Sequence, residues 1–528
     1  YNIYDYVYWN PFFGDGRNTG GEFDDSRVNN LNWQGTQTLS YQRLFSDIHN
    51  VDAVIGYEES QNDRKRTNVW GEGFAHPDLK QGTSAAITEG TSTFDEYSFR
   101  SYFTRVNYDF DRTYFVSASF RRDGSSRFGP DKRWGNFWAL GGGITLTNMS
   151  FMQDLGVFDY LKLRSSYGQV GTAEIGTYPW QGLYGFNAAY NGLPGSGPDQ
   201  VPNRELTWES QGAFNVGADF AFLDSKITGT LEYFKKTSSD LLLNVPVSRT
   251  TGFTSTLQNF GDMENSGIEL SLTADLLRTA DYDLAVDFSI TKQSNEITKL
   301  QEPILDGTKR REEGRDYQEY YLYGWAGVDS NNGDPLWYTD ETKTQTTNSL
   351  SNAERFYDGK SATPDYLGSF GFNGRYGRFT LSTLATYMFG HYLYEGAERF
   401  YHGDGRYLPR STSSWAFENR WQQPGDNSIF PRVSWGGVNS SQPSNADRWL
   451  DEGDYIRLKD VTLSYQFSEE IASRVRLGSL RAQFNITNAL TWVAAEDLHF
   501  DPEQIVSGVY NTGTPNSRTF SLGFTIGF

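Results

Sequence analysis

Residues 520–528 read Phe-Ser-Leu-Gly-Phe-Thr-Ile-Gly-Phe. Phe520, Leu522, Phe524, Ile526 and Phe528 occupy every second position, with Ser521, Gly523, Thr525 and Gly527 between them. Successive side chains of a strand point to opposite faces, so this segment is a strand with one apolar face and one small or polar face. The alternation recurs upstream. Leu480, Ala482, Phe484 and Ile486 oppose Arg481, Gln483, Asn485 and Thr487, and Leu284, Val286, Phe288 and Ile290 oppose Asp283, Asp287, Ser289 and Thr291. Ile268, Leu270, Leu272 and Ala274 likewise oppose Glu269, Ser271, Thr273 and Asp275.

This pattern predicts about sixteen strands, at 4–12, 36–46, 51–60, 99–110, 113–123, 136–147, 159–168, 209–222, 226–237, 264–274, 282–293, 367–376, 378–389, 455–467, 479–489 and 518–528. Crossing an apolar band ~25 Å tall at ~40° tilt takes about ten residues, whereas strands of soluble sandwiches average nearer five or six. Most of the segments here have the longer length. Their connections alternate in size. Asp47 to Asn50, Asp111-Arg112, Leu223 to Ser225, the seven residues from Asp275 on and the single Gly377 are short, 148–158 and 468–478 are intermediate, and 294–366 and 390–454 are long. Short turns at one rim and long loops at the other are the signature of an outer-membrane antiparallel β-barrel, which also satisfies every backbone polar group in lipid. The fold expected is therefore all-β and transmembrane, with outer-membrane lipid against the apolar strand faces. Tyr41, Tyr108, Tyr114, Trp138, Tyr160, Tyr167, Tyr233, Tyr387 and Tyr465 lie near strand ends, where aromatic girdles sit.

Composition narrows the function. Among 528 residues, 66 acidic against 46 basic side chains give a net charge of −20, which argues against nucleic acid as a partner. Aromatics make up 16% of a chain whose mean hydropathy is −0.61, a combination rare in soluble proteins. No cysteine is present, so disulfides and thiolate metal sites are excluded. No apolar run reaches the ~18 residues of a membrane-spanning helix. The opening YNIYDYVY has neither an initiator Met nor a signal-peptide pattern and reads as the middle of a strand, so the chain is expected to lack its natural beginning.

Catalytic signatures are sparse. His49, His76, His391, His402 and His499 show no zinc-ligand spacing, and no Gly-x-Ser-x-Gly elbow occurs. Gly359-Lys360-Ser361 imitates the end of a phosphate loop without its first glycine, since Glu354 stands there. Asp329 to Asp334, DSNNGD, has the oxygen density of a calcium loop but not EF-hand spacing, and reads as a turn. Asp451, Glu452, Asp454, Glu312 and Glu313 read as solvated loop charges. The expectation is a non-enzyme with no cofactor and no metal.

Eight segments, in order, resemble the SusC/RagA family of TonB-dependent outer-membrane transporters of Bacteroidota. The most specific is RRDGSSRFGPDKRWGNFWALGGGI, Arg121 to Ile144. The others are LKLRSSYGQVGTAEIG (161–176), LTWESQGAFNVGADF (206–220), TLEYFKKTSSDLLL (230–243), NFGDMENSGIELSL (259–272), RWQQPGDN (420–427), YIRLKDVTLSYQF (455–467) and FNITNALTW (484–492). The terminal SLGFTIGF is similar to the aromatic-ended strand read by the outer-membrane assembly machinery, with Phe524 and Phe528 as its signal.

The resemblance covers nearly the whole chain and implies that residues 1–528 are the C-terminal part of a TonB-dependent-receptor-like barrel of 22 strands. It further implies import of large hydrophilic nutrients, oligosaccharides or peptides, under a SusD-like surface lipoprotein. Energy would come from TonB-ExbB-ExbD through a plug that, with about six first strands, is not in this sequence. Loop aromatics are the candidate contacts to substrate or lid: Trp180, Tyr184, Trp325, Trp337, Tyr338, Trp415, Trp421 and Trp435. Packing of loops against one another is the plainer role for the same rings. A passive porin or structural barrel, and an outer-membrane barrel hydrolase, are the alternative functions.

Overall fold

A computed structural model of the chain describes residues 2–11, 14–407, 411–437, 443, 445–496, 498–503, 507–510 and 513–528. Sixteen of its strands form one antiparallel sheet in which each pairs with its neighbours in sequence. They are β1 (Asn2–Trp9), β2 (Glu22–Phe45), β3 (His49–Phe74), β4 (Ala85–Phe110), β5 (Tyr114–Ser125), β6 (Trp134–Thr145), β7 (Tyr160–Thr172) and β8 (Glu209–Phe222). There follow β9 (Ile227–Ser239), β10 (Asp262–Arg278), β11 (Tyr282–Lys299), β12 (Tyr366–Tyr376), β13 (Phe379–Phe389), β14 (Tyr455–Gln466), β15 (Ser479–Val493) and β16 (Thr519–Gly527).

Number and order match the expectation from alternation, and β8 has the expected bounds. Three strands depart furthest from theirs. β2, β3 and β4 run for 24, 26 and 26 residues, about twice the length expected. The missed halves are interrupted by polar residues on both faces, as in Gln61 to Arg66, QNDRKR, so no regular hydrophobic period marks them. Backbone pairing nonetheless continues through them, joining Asp63 to Leu31 on one side and to Glu96 on the other. A cross-strand polar contact accompanies it, Trp70 Nε1 donating to Glu22 at 2.7 Å. The first strand ends at Trp9, and Phe12, its expected end, lies outside the described residues. The link after β10 shrinks from seven residues to three because β10 runs on to Arg278.

Three of the tight turns require unusual backbone, one of them at Leu223, Asp224 and Ser225 (φ 60°, 56° and 57°). Ser46 and Asp47 (φ 49° and 60°) and Asp111 and Arg112 (φ 50° and 52°) are consecutive left-handed residues. Such pairs give hairpins the twist of their strands, and the short side chains of Ser and Asp tolerate the region best.

One face of the sheet is apolar and uncovered. Leu39 is 73% exposed, and Ile55, Val116, Leu140, Ile268, Phe370, Phe484, Phe520, Leu522 and Phe524 are exposed beside it in the same alternating positions. Among the described residues no second layer shields these rings and aliphatics. Of the girdle candidates, Tyr41, Tyr114, Trp138, Tyr160, Tyr167 and Tyr233 are exposed. Tyr108 is half-buried with its hydroxyl 2.8 Å from His49 Nδ1, Tyr387 donates to the Ser289 carbonyl at 2.8 Å, and Tyr465 stacks near Phe379.

The chain divides into two compact units, 1–142 with 167–212 and 239–260, and 143–166 with 213–238 and 261–528. The first has a small core of Phe128, Phe137, Ala173, Leu206 and Trp208. In the second, the long connections are not open loops. They contain small sheets, one of Ile304–Asp306, Lys309–Arg311, Glu319–Tyr323 and Arg355–Ser361 and another of Trp325–Val328, Pro335–Tyr338 and Thr346–Thr347. A third joins Leu450–Glu452, Tyr392–Glu395 and Val509–Tyr510. Together they enclose a core of Tyr320, Leu322, Trp337, Tyr394, Trp449 and Leu450.

Candidate functional site

The face of the sheet opposite the exposed apolar one carries paired charges. In the first unit Arg121, on β5, sits at the centre. Its guanidinium reaches Glu58 on β3 at 3.0 Å and Asp123 at 2.6 Å, and donates to Ser101 Oγ on β4 at 2.8 Å. Arg121, Asp123 and Ser101 share one side because 121↔103 and 123↔101 are cross-strand partners at even spacing. Glu58 also accepts from Gln34 Nε2 at 2.9 Å and Thr36 Oγ1 at 3.2 Å. These groups line a concavity of about 750 Å³ together with Tyr97, Phe99, Arg127 and Trp208. Arg127 is held over the Tyr97 ring at 3.9 Å and donates to the Ala173 carbonyl at 2.6 Å.

This accounts for the sequence motif from Arg121. Ser126 Oγ accepts from Ser98 N at 2.9 Å, Phe128 is fully buried, and Trp208 Nε1 donates to the Arg133 carbonyl at 3.0 Å. The motif thus closes one end of the concavity while Arg121 organises its floor. Its polar partner Glu58 stands 63 positions away, so the motif was legible but the constellation was not.

The second unit has the same kind of face. Arg164 bridges Asp219 at 3.3 Å and Glu232 at 2.5 Å. Asp287 accepts from Thr273 at 2.8 Å and Asn373 at 3.1 Å, and Asp460 accepts from Thr462 at 2.8 Å and Asn485 at 2.6 Å. A surface of alternating, mutually satisfied charges and amides offers exchangeable hydrogen bonds to a hydrophilic solute without fixing any one of them.

The eight loop aromatics fall into two groups. Trp337 is completely buried, with Trp325 edge-on at 4.9 Å, and Tyr338 is half-buried in the same strand as Trp337. Trp180 packs on the Phe128–Trp208 core, and Trp421 lies over Gly333 with its Nε1 donating to the Ser330 carbonyl at 3.0 Å. A Cβ at position 333 would stand 2.5 Å from that ring, and Gly333 has φ 75°, so only glycine fits. Trp415 stands 4.8 Å from Phe430 with one side exposed. Tyr184 and Trp435 project freely, the latter 87% exposed. Phe524 and Phe528 are both exposed on the last strand and at its end.

The DSNNGD turn is closed by its own side chains. Asp329 accepts from Asn331 N and Asn332 from Asp334 N, each at 2.8 Å, while Arg432 approaches Asp334 at 3.1 Å. Gly359, Lys360 and Ser361 belong to a loop strand and precede no helix. Three of the acidic residues read as solvated loop charges also hold loop structure, Glu313 while remaining exposed and Asp454 and Glu312 from half-buried positions. Asp454 accepts from Gly390 N at 2.6 Å, Glu313 from Leu300 N at 3.2 Å, and Glu312 from the Tyr357 hydroxyl at 3.0 Å.

Burial sets the electrostatics of this loop region. Asp447 accepts from Trp325 N at 2.7 Å, and desolvation raises its carboxyl to about 6. Arg448 is stacked on Trp325 and Trp449, and desolvation lowers it to about 10. Lys309 is buried, donates to Gln318 Oε1 and the Ser507 carbonyl, and is pushed down to about 8, chiefly by desolvation and then by Arg311. Glu395 is pushed up to about 9 by burial and by Glu398 beside it. Arg457, at the base of the loops, pairs with Asp501 and with Glu503 at 2.8 Å and ties the connection 494–518 to β14.

No protein-family model matches the chain. Among curated proteins, a TonB-dependent receptor of Formosa agariphila is 26% identical over 569 residues, covering 95% of this chain and 54% of its own length. The TonB-dependent receptor SusC of Bacteroides thetaiotaomicron is 28% identical over 536 residues, covering 95% of this chain and 51% of SusC. Among solved structures, the RagAB peptide transporter superposes with a TM-score of 0.82 at 26% identity, over 96% of this chain and 56% of that one. This chain therefore spans about half the length of the relatives it matches.

Proposed function

We propose that this chain, which is SusC/RagA-like along nearly all of its length, is the barrel part of an outer-membrane TonB-dependent importer. Its fold is that of an antiparallel transmembrane β-barrel protein, and it resides in the outer membrane. The observation that carries the reading is the division of one sheet into an uncovered apolar face and a face of satisfied charges. Lipid is the solvent that makes the first face favourable, and water the solvent that makes the second so.

The cargo in this reading is a large hydrophilic nutrient, an oligosaccharide or a peptide, passing along the charged face. Residues 1–528 form the C-terminal part of the barrel, a plug belonging to the rest of the protein blocks it, and TonB-ExbB-ExbD supplies the work. A SusD-like surface lipoprotein covers the loop side. Tyr184 and Trp435, exposed, and Trp415 and Trp421, at the edge of the loop layer, are the proposed contacts to lid or cargo. Trp180, Trp325, Trp337 and Tyr338 hold the loops that present them. Tyr41, Tyr114, Trp138, Tyr160, Tyr167 and Tyr233 form the interfacial girdle, and Phe524 and Phe528 are the assembly signal. No residue is assigned a catalytic role.

The test is uptake in the native host, with the gene deleted and restored, on peptide mixtures and on oligosaccharides as sole nutrients. Growth on one of the two should depend on the gene and disappear when TonB is removed. Uptake that survives the loss of TonB would identify a passive porin instead. Extraction in mild detergent should bring a lipoprotein with the chain, and recovery of the bare protein alone would remove the lid from the reading.

A further inference from the structure

Glu395 ends the loop strand Tyr392–Glu395, and Glu398 opens the single-turn helix Glu398–Tyr401. His499 belongs to a different connection, the one between β15 and β16. The chain brings one ligand-type atom from each of the three within 4.8 Å of the others. His499 Nδ1 lies 3.1 Å from Glu398 Oε1, and His402 Nδ1 lies 3.5 Å from Glu398 Oε2.

Three features set this group apart from an ordinary acidic patch. Both carboxylates are buried, Glu395 at 4% exposure and Glu398 at 8%. The second oxygen of Glu395, Oε2, is buried with no hydrogen-bond partner. Among the described residues the ion pairs of Glu398 are with histidines alone, and Glu395 makes none with Lys or Arg. Two neighbouring carboxylates withdrawn from water are costly; the buried Arg448 guanidinium offsets part of that cost for Glu398 through space, and a cation held between the two carboxylates would remove the rest. One edge of the group stays open, since the His499 side chain is 56% exposed and gives an ion a way in.

We infer that Glu395, Glu398 and His499 form a binding site for one divalent transition-metal ion, with His402 positioned beside it. Two carboxylate oxygens and an imidazole nitrogen suit zinc or manganese, whereas calcium takes oxygen ligands and gains little from the imidazole. The ion would act structurally. It would clip the connection 494–518 onto the connection 390–454, at the place where Val509–Tyr510 already pairs in parallel with Tyr394–Glu395. This site is independent of the transport reading and stands or falls separately from it.

The test uses the full-length protein purified in detergent, stripped with a chelator and titrated with zinc, manganese and calcium chloride in turn. One zinc or manganese ion should bind per chain, at least tenfold more tightly than calcium. Cobalt(II) should give a visible ligand-field spectrum that Glu398→Gln and His499→Ala each abolish, and bound zinc should slow proteolysis within 494–518. His499→Ala guards against a folding artefact, since that side chain is largely exposed. Lack of saturable one-to-one binding, or binding unchanged in both variants, would overturn the site and leave a proton-sharing carboxylate pair in its place.

Discussion

Large aromatic and aliphatic side chains behave oppositely in two regions of this molecule. On β15 and β16 Phe484, Leu522 and Phe524 stand exposed on a sheet face that no layer of described residues covers. In the loop layer Tyr320, Trp337 and Trp449 are buried as deeply as any residue of a soluble domain, and the Tyr320 hydroxyl donates to the Gly508 carbonyl at 2.7 Å. The difference lies in the solvent each region meets. A strand face in lipid needs no covering layer, whereas a connection of seventy residues in water must build its own core or remain unfolded.

The largest expected effect breaks the loop core. Trp337→Ala should destabilise that region by about 3–5 kcal/mol, the range for removing a buried aromatic, while the heat-modifiable gel shift of the barrel is retained. Proteolysis across 300–365 would measure it. Trp435→Ala, at a projecting ring, should fall within about 0.5 kcal/mol of the parent in the same assay. Equal sensitivity of the two would mean that the loops do not fold as a packed unit.

The next test is on the sheet. Leu522→Arg places a charge on the exposed apolar face and should cost about 2–4 kcal/mol in bilayers if it lies near the midplane. Ser521→Arg, one residue along and on the opposite face, should cost far less. Urea unfolding from liposomes compares the two, and the reverse order would exchange the lipid and water faces.

The smallest effect is in pH and separates the regions by titration. Lys309 is held at about 8 against an ordinary 10.5. Between those values the unfolded chain keeps a proton that the folded one releases, so loop stability should rise as pH increases from about 8 to 10.5, by no more than about 3 kcal/mol. Below 8 the penalty for burying the ammonium is fully present. Lys309→Met should flatten this rise, as followed by thermal unfolding of the loop region, and leave the sheet unaffected.

Most strands of the sixteen-stranded sheet were legible because lipid on one side and water on the other impose a period of two on each segment, as in Phe520 to Phe528. The halves of β2 to β4 at 22–35, 61–74 and 85–98 were not, since polar residues interrupt both faces there and backbone pairing continues without a regular apolar period to mark it. The site was less legible still. The motif beginning at Arg121 could be quoted, but its meaning depends on Glu58 and Ser101, which β-pairing brings to the same face. His402 meets Glu398 within one helical turn, but His499 looked unrelated because it reaches Glu398 only after the last connection folds back along Tyr392–Glu395.

Side-chain alternation alone thus dictated how many strands there are, which face of each is greasy, and that neighbours in the chain pair with one another, since these are local properties of a pleated backbone between two solvents. Which tryptophans are hidden and which project, which carboxylates close loops, and which acids meet a histidine were decided only by packing among segments far apart in the chain. Such contacts depend on register and on the path of long connections, and the free energy that selects them is shared among residues with no sequence relation to one another.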